Sequence, residues 1–341
     1  MSLPTRKIGN ADVPYPGLGT MGMSAFYDGA GKTESNLTVL KAAYDSGCRF
    51  WDTADMYGNH HMGENEQLLA KAFKEGGVKR EDIFLGTYSS STTKFGNFRA
   101  PDGTRSIIGT PAYVASAIDK SLADLQVPFV DLYYQHRVDK NTPIEETVGA
   151  MQKLKEAGKI RHIGLSECSA ETLRRASKVA KVDAVQWEYS LWETSIETNG
   201  VLEACKELGI TLVAYSPLGR GMLTGKLKSR ADLSPTDFRY HSPRFSEENF
   251  PKNLELVDKI TAFAEKKGCT PAQLALAWVH AQWEGIIAIP GTTRLEGLKE
   301  NIGSVGVELT DEELKEVRVL LDSFVVQGDR YPAAAMASLN V

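Results

Sequence analysis

The chain has 341 residues, of which 42% are hydrophobic and 24% are charged. These proportions are typical of a globular protein and argue against a disordered or fibrous chain. At roughly 100–200 residues per domain, the length suits two domains or one large α/β barrel. The formal net charge is −5, with acidic and basic residues mixed along the chain, so composition predicts no nucleic-acid partner.

From the hydropathy of the sequence we expect neither a membrane span nor secretion. No segment approaches the roughly 18 consecutive apolar residues that a spanning helix needs, and residues 1–7 hold no apolar signal core. Four widely spaced cysteines without a CxxC pair favour reduced thiols over disulfides or a zinc site. We therefore expect a cytoplasmic protein with no membrane partner and no metal. The cysteines are Cys48, Cys168, Cys205 and Cys269.

Short apolar segments alternate with longer segments of helical periodicity. Their near-continuous apolarity is typical of strands buried on both faces. Repeated βα units without a composition break predict α/β architecture, a single (β/α)₈ TIM barrel over residues 1–341. A doubly wound sheet is the rival, but no GxGxxG follows the first strand. The predicted strands cover 17–20, 49–53, 82–87, 130–136, 161–166, 184–187, 211–215 and 286–290.

Capping signals predict where several helices begin and end. Thr110–Pro111, Thr142–Pro143 and Thr270–Pro271 each place a threonine at an N-cap position with proline in the first turn. Gly158 and Gly209 follow helical segments, where a left-handed residue commonly ends a helix.

Two long segments interrupt the repeat. Residues 219–251, which we call the lid segment, are polar and rich in glycine, serine and proline after the seventh strand. Residues 323–341, the tail segment, are irregular after the last helix. Long loops in compact domains are usually functional, and βα loops form the active-site face of a barrel. The lid segment is therefore a candidate cover for the site, and the tail segment a candidate rim.

Polar side chains collect at the carboxyl ends of the predicted strands. Each alone has a structural explanation, such as a cap or a buried hydrogen-bonded group. Their convergence on one barrel face instead favours a site, because polar groups there are poor packing choices. The residues are Asp52, His136, Ser166, Glu167, Gln186, Tyr215 and Ser216, with Tyr57 in the loop after the second strand.

Such a set of groups has a definite chemistry. A tyrosine can donate a proton to a carbonyl oxygen when a lysine ammonium stabilises its phenolate and an aspartate keeps that lysine charged. A histidine can orient the carbonyl. These four residue types on one rim would form a reductase site if a hydride donor lay beside them.

Five motifs, at 47–66, 131–139, 158–166, 214–221 and 289–294, resemble the signatures of the aldo-keto reductase family in order and spacing. The similarity is greatest to the branch that includes pyridoxal reductases and general aldehyde reductases. It implies a (β/α)₈ barrel that reduces aldehydes or ketones, as small-molecule carbonyl substrates, to alcohols with NADPH.

The resemblance also implies residue roles. Tyr57 matches the general acid, Asp52 the residue that supports the lysine, and His136 the histidine that orients the carbonyl. A guanidinium and a hydroxyl near a helix N-terminus suit the 2′-phosphate dianion, which favours NADPH over NADH. The implied cofactor contacts are Ser166 and Gln186 for the carboxamide, Tyr215 for the nicotinamide face, Ser216, Leu218, Gly219 and Gly221 for the diphosphate, Thr292 and Arg294 for the 2′-phosphate, and Glu300 and Asn301 for the adenine.

Two positions depart from the family pattern. The family usually has Thr-Lys-Phe-Gly directly after the third strand, whereas here residues 88–92 precede Thr93. Either Tyr88 replaces the lysine, or residues are inserted before Thr93 and Lys94 is the catalytic lysine; we favour Lys94. Glu167 stands where many relatives have asparagine. It either leaves the carboxamide contacts to its neighbours or is a solvent-facing carboxylate, and the sequence does not decide between these.

The leading interpretation is an NADPH-dependent oxidoreductase. An alternative from another class is an NADPH-binding regulatory or sensor subunit with weak or no turnover, since one fold hosts many functions. The presence of Asp52, Tyr57 and His136 together argues against that alternative. The physiological substrate and the oligomeric state stay open.

Overall fold

The computed structural model describes residues 2–27, 30–84, 93–99 and 104–341, and strands alternate with helices through most of them. The strands are β1 (Thr5–Ile8), β2 (Ala11–Pro14), β3 (Leu18–Gly19), β4 (Trp51–Asp52), β5 (Thr93–Phe95), β6 (Asn97–Arg99), β7 (Arg105–Ile107), β8 (Val130–Gln135), β9 (Ile160–Ser166), β10 (Ala184–Glu188), β11 (Thr211–Tyr215) and β12 (Ile286–Ala288). The helices are α1 (Thr33–Asp45), α2 (Glu64–Lys74), α3 (Pro111–Leu125), α4 (Ile144–Glu156), α5 (Ala170–Val179), α6 (Val201–Leu208), α7 (Asn249–Lys267), α8 (Pro271–Ala281), α9 (Leu295–Gly303), α10 (Asp311–Asp322) and α11 (Ala333–Met336).

Parallel strands form the wall of the barrel. One sheet has the order β12-β11-β10-β9-β8-β5, and β3 pairs in parallel with β4. The Gly17 and Gly19 N–H groups donate to the carbonyls of Ala288 and Pro290, which joins β3 to the β12 side. On the other side a parallel bridge links Phe50 to Phe84. These contacts confirm the predicted α/β architecture, and the parallel strands fit the (β/α)₈ barrel.

The third predicted strand, 82–87, falls within the described residues only as far as Phe84. Residues 80–82 form a 3₁₀ turn, Phe84 makes a single bridge, and residues 85–87 lie outside the described part of the chain. The strand that pairs with β8 is β5, in which Lys94 lies opposite Tyr134. Residues 93–95 thus form a strand beside β8 that the apolar pattern did not predict.

The β1–β2 hairpin was not predicted from the sequence. Ile8 pairs with Ala11 across the intervening Gly9–Asn10 turn. Gly9 has a φ of +59°, the left-handed conformation that two-residue hairpin turns favour.

Two of the three predicted helix starts are correct. Pro111 and Pro271 open α3 and α8 behind threonine N-caps. The third is displaced, because α4 begins at Ile144 with Pro143 as its N-cap. The Thr142 hydroxyl instead donates to Asp139 at 2.8 Å, which removes it from the capping role.

The helix ends and the long segments follow the sequence patterns. Gly158 follows α4 with a φ of +74°, and Gly209 ends α6 with a φ of +64°. Short 3₁₀ turns build the lid segment before α7, and α11 is the only helix described within the tail segment. None of the described helices is both long and apolar enough to cross a membrane.

Two threonine–proline helix starts form a matched pair for measuring capping. The Thr270 hydroxyl accepts from the Gln273 N–H while the Gln273 side chain accepts from the Thr270 N–H. The Thr110 side chain makes no such bond to the described residues. Thr270→Ala should therefore lower the free energy of unfolding by about 1 kcal/mol. Urea unfolding should show a smaller loss for Thr110→Ala; equal losses would contradict the capping account.

His280 should make the stability of the barrel pH-dependent. Its Nε2 accepts from the Ala288 N–H at 3.1 Å, which ties α8 to β12, and burial with the nearby Arg6 cation lowers its pKa to about 3. The unfolded chain binds this proton near pH 6.5, so stability present at neutral pH is lost as the pH falls below that value.

We expect His280 to account for a loss of about 2 kcal/mol in unfolding free energy between pH 7 and pH 5. Urea unfolding at both pH values, with His280→Gln as control, measures this contribution. The glutamine can accept the same hydrogen bond without titrating, so its pH dependence should be shallower by that amount. Parallel pH profiles for the two proteins would contradict the assignment.

Candidate active site

A buried ion pair lies at the carboxyl end of the barrel. Lys94 on β5 is fully buried, and its Nζ pairs with Oδ1 of Asp52 on β4. The same Nζ donates to the Thr53 carbonyl at 2.8 Å. From β10, Nε2 of Gln186 donates to Oδ2 of Asp52 at 2.9 Å. Asp52 thus joins side chains from three strands.

Tyr57 and His136 lie against this ion pair. Lys94 Nζ is 5.2 Å from the centre of the Tyr57 ring. The Tyr57 and His136 rings meet edge to face with their centres 5.9 Å apart. The backbone N–H of His136 donates to the Phe95 carbonyl at 2.7 Å, which holds the histidine beside β5. The structure therefore brings Asp52, Tyr57, Lys94 and His136 together, whereas Tyr88 lies outside the described residues.

Burial sets the protonation states of these groups. It raises the pKa of Tyr57 well above the ordinary tyrosine value, and the Asp52 charge raises it further. Burial lowers the pKa of Lys94, an effect that Asp52 opposes. Burial also holds the pKa of His136 well below its usual range, assisted by the Arg137 and Lys94 charges. At neutral pH the phenol keeps its proton and the imidazole is neutral, as a proton donor and a neutral orienting group require.

Further predicted residues line the same end of the barrel. Ser166 ends β9, and its Oγ lies 3.5 Å from Nη1 of Arg137. Tyr215 ends β11, and its hydroxyl donates to Oε1 of Glu167 at 2.8 Å. Ser216 follows with a φ of +48°. These residues lie at or just after the carboxyl ends of β9 and β11.

A glycine-rich turn follows β11. Leu218 is buried, and Gly219 and Gly221 have φ values of +55° and +93°, a conformation that other residues rarely adopt. A Cβ on Gly219 would lie 2.7 Å from the ring of Trp192. Glycine is therefore required where this turn passes the end of β11.

The predicted phosphate and adenine residues lie at the start and the end of α9. Arg294 is exposed at the N-cap, and its N–H donates to the Thr292 hydroxyl at 3.1 Å. Glu300 pairs with Lys226 of the lid segment at 2.8 Å, and Asn301 is buried. A cavity of about 290 Å³ adjoins Arg294. Its lining residues are Ser35, Thr38, Val39, Thr293, Arg294, Leu295 and Glu296.

The partner of Glu167 was not predicted from the sequence. This carboxylate is fully buried, which excludes the solvent-facing alternative. It accepts from Nη1 and Nη2 of Arg330, at 3.1 and 2.5 Å. No local pattern indicated the pairing, because the two residues are 163 positions apart. In the described part of the chain, no group of three or more His, Cys, Asp or Glu side chains is arranged to hold a metal.

The chain is similar in sequence and in fold to known proteins. A family model described as "Aldo/keto reductase family" matches residues 17–322. The chain is 49% identical to Aldo-keto reductase yakc (NADP(+)) of Schizosaccharomyces pombe, over 98% of this chain and 96% of that protein. It is 46% identical to Aldo-keto reductase str7 of Strobilurus tenacellus, over 97% and 95%. The solved glycerol dehydrogenase AKR11B4 from Gluconobacter oxydans superposes with a TM-score of 0.83 at 28% identity, over 96% of this chain and 98% of that one.

Proposed function

Because this chain belongs to the aldo/keto reductase family, we propose that it reduces aldehydes or ketones to alcohols with NADPH. The observation that carries the proposal is the buried grouping of Tyr57 and His136 around the Lys94–Asp52 ion pair. The NADP(+) in the name of the yeast relative supports the choice of cofactor.

Each member of the grouping has one task. Tyr57 donates its proton to the carbonyl oxygen, and the Lys94 ammonium stabilises the phenolate that remains. Asp52 keeps Lys94 charged in a buried position. His136 is neutral, so it hydrogen-bonds the carbonyl oxygen without acting as a competing acid.

The residues around the barrel mouth suit a dinucleotide with a 2′-phosphate. The cavity beside Arg294 combines a guanidinium, three hydroxyl side chains and a helix N-terminus, which favour a dianion, with one opposing carboxylate, Glu296. When bound, the reduced nicotinamide supplies the hydride that adds to the carbonyl carbon. We assign the carboxamide to Ser166 and Gln186, the nicotinamide face to Tyr215, the diphosphate to Ser216, Leu218, Gly219 and Gly221, the 2′-phosphate to Thr292 and Arg294, and the adenine to Glu300 and Asn301.

Removal of the proton donor or its cation should abolish turnover and spare cofactor binding. We expect Tyr57→Phe and Lys94→Met to lower kcat by roughly 10²- to 10⁴-fold, the usual contribution of acid–base catalysis. The measurement is NADPH oxidation with aromatic, aliphatic and pyridoxal-type aldehydes, alongside the Kd for NADPH.

Two controls make this result specific. Tyr133→Phe removes another buried hydroxyl, one with no hydrogen-bond partner among the described residues, and should leave kcat unchanged. Tyr88→Phe tests the alternative lysine position and should also be active. Full turnover by Lys94→Met would refute its assignment. NADPH binding without turnover by the wild type on every aldehyde would favour a regulatory subunit instead.

Arg294 should determine the preference for NADPH over NADH. Arg294→Ala removes a charged hydrogen bond to the 2′-phosphate, so we expect KM for NADPH to rise roughly 10- to 100-fold while KM for NADH stays unchanged. Arg174→Ala, a change at an exposed arginine paired with Glu207, is the matched control. Equal changes in both KM values would contradict the assignment.

A further inference from the structure

A second group of buried charges lies beside the candidate active site. It contains three arginines and three glutamates, none more than 8% exposed. The arginines come from the lid and tail segments, and the glutamates follow or end β9 and β10. We call this set the Arg–Glu cluster. Its members are Arg220, Arg244, Arg330, Glu167, Glu188 and Glu193.

Among the arginines of the cluster, Arg330 donates a hydrogen bond to Tyr215. Its Nη1 and Nη2 donate to the two carboxylate oxygens of Glu167, and its Nε donates to Glu188 at 3.0 Å. Its Nη2 also donates to the Tyr215 hydroxyl at 2.8 Å. A planar guanidinium can make all these contacts at once because its donors are held in a rigid fork.

The Tyr215 hydroxyl is held from two sides. It accepts from Arg330 and donates to Glu167 at 2.8 Å, so one contact uses its proton and the other its lone pair. Burial and the Glu167 charge hold its pKa well above the ordinary tyrosine value, which keeps that proton in place. The hydroxyl of Tyr331 lies 3.2 Å away. These contacts restrict rotation of the Tyr215 ring.

Glu167 is itself fixed. Its φ of +53° is unusual for a glutamate, and its carboxylate also accepts from the Glu188 N–H at 3.3 Å. Its carbonyl accepts from the Asn340 N–H of the tail segment at 2.9 Å. The tail segment is thus tied to the end of β9 through both the backbone and the side chain of Glu167.

A buried ion pair is weak support for stability alone, because desolvation of both charges offsets their attraction. It does impose geometry, since an arginine–carboxylate fork has one favourable arrangement. Here the Arg330 guanidinium also donates to the hydroxyl of Tyr215, the ring proposed to face the nicotinamide. The contacts therefore favour a role in orienting that ring.

We propose that Arg330, together with Glu167, is a positioning residue that holds the Tyr215 ring in the orientation against which the nicotinamide stacks. The role of Tyr215 in this proposal rests on the proposed function. Arg330 itself contacts neither cofactor nor substrate in this account. It acts through the Tyr215 hydroxyl.

A double-mutant cycle tests this coupling. Arg330→Lys keeps the buried charge but loses the fork, and Tyr215→Phe keeps the stacking ring but loses the hydroxyl. Each single change should raise the Kd for NADPH and lower kcat, by about tenfold in kcat/KM, the order expected for the loss of one hydrogen bond. The Kd is measured by quenching of protein fluorescence. The double variant should be no worse than the poorer single one, because both changes break the same contact.

Arg244→Lys is the matched control. Arg244 is a buried arginine of the same cluster, and it donates to Glu193 and to the Trp192 and Gly328 carbonyls. It should lower the urea midpoint as Arg330→Lys does, yet change Kd and kcat less than about twofold. Equal kinetic losses in the two arginine variants would refute the proposal, as would an additive cycle.

The proposed function and the positioning role can fail separately. A wild type that binds NADPH but reduces no carbonyl refutes the proposed function, while the cycle in Kd still decides the role of Arg330. Normal wild-type turnover with additive effects in the cycle refutes the positioning role alone.

Discussion

The buried ammonium of Lys94 is the constraint on which the candidate site depends. A charge removed from water is tolerated only beside an opposite charge with good geometry, and Asp52 provides it. Asp52 also accepts from Gln186, so satisfying one cation links β4, β5 and β10. The need to pair the buried Lys94 charge therefore holds these three strands in fixed relation. Tyr57 and His136 pack against the Lys94–Asp52 ion pair.

Burial shifts the pKa values of neighbouring groups in opposite directions. It raises the pKa of an acid such as Tyr57 and lowers the pKa of a base such as His136, because both shifts favour the neutral form. A neutral phenol and a neutral imidazole therefore surround a charged lysine. This distribution suits donation of a proton to a carbonyl oxygen, and it arises without a metal ligand set in the described part of the chain.

The Arg–Glu cluster fixes the positions of the lid and tail segments, as the Lys94–Asp52 pair fixes the positions of the strands. The lid segment contains short 3₁₀ turns and the described tail segment one short helix, so backbone ladders do little to hold them. Arginine forks join them to carboxylates at the strand ends instead. The barrel thus has two neighbouring sets of buried charge, one within the strands and one between the strands and the segments that cover them.

Local patterns in the sequence were sufficient for the fold class, for most strands and for the starts of α3 and α8, because periodicity and capping involve residues close in the chain. The motif resemblance also selected Asp52, Tyr57 and His136 as neighbours. Only the tertiary structure decided that residues 93–95 pair with β8, that Lys94 meets Asp52, and that Glu167 turns inward to Arg330. Each of these contacts joins a buried group to a partner that is distant in the chain, 163 positions away for Glu167. Local sequence patterns do not contain that information.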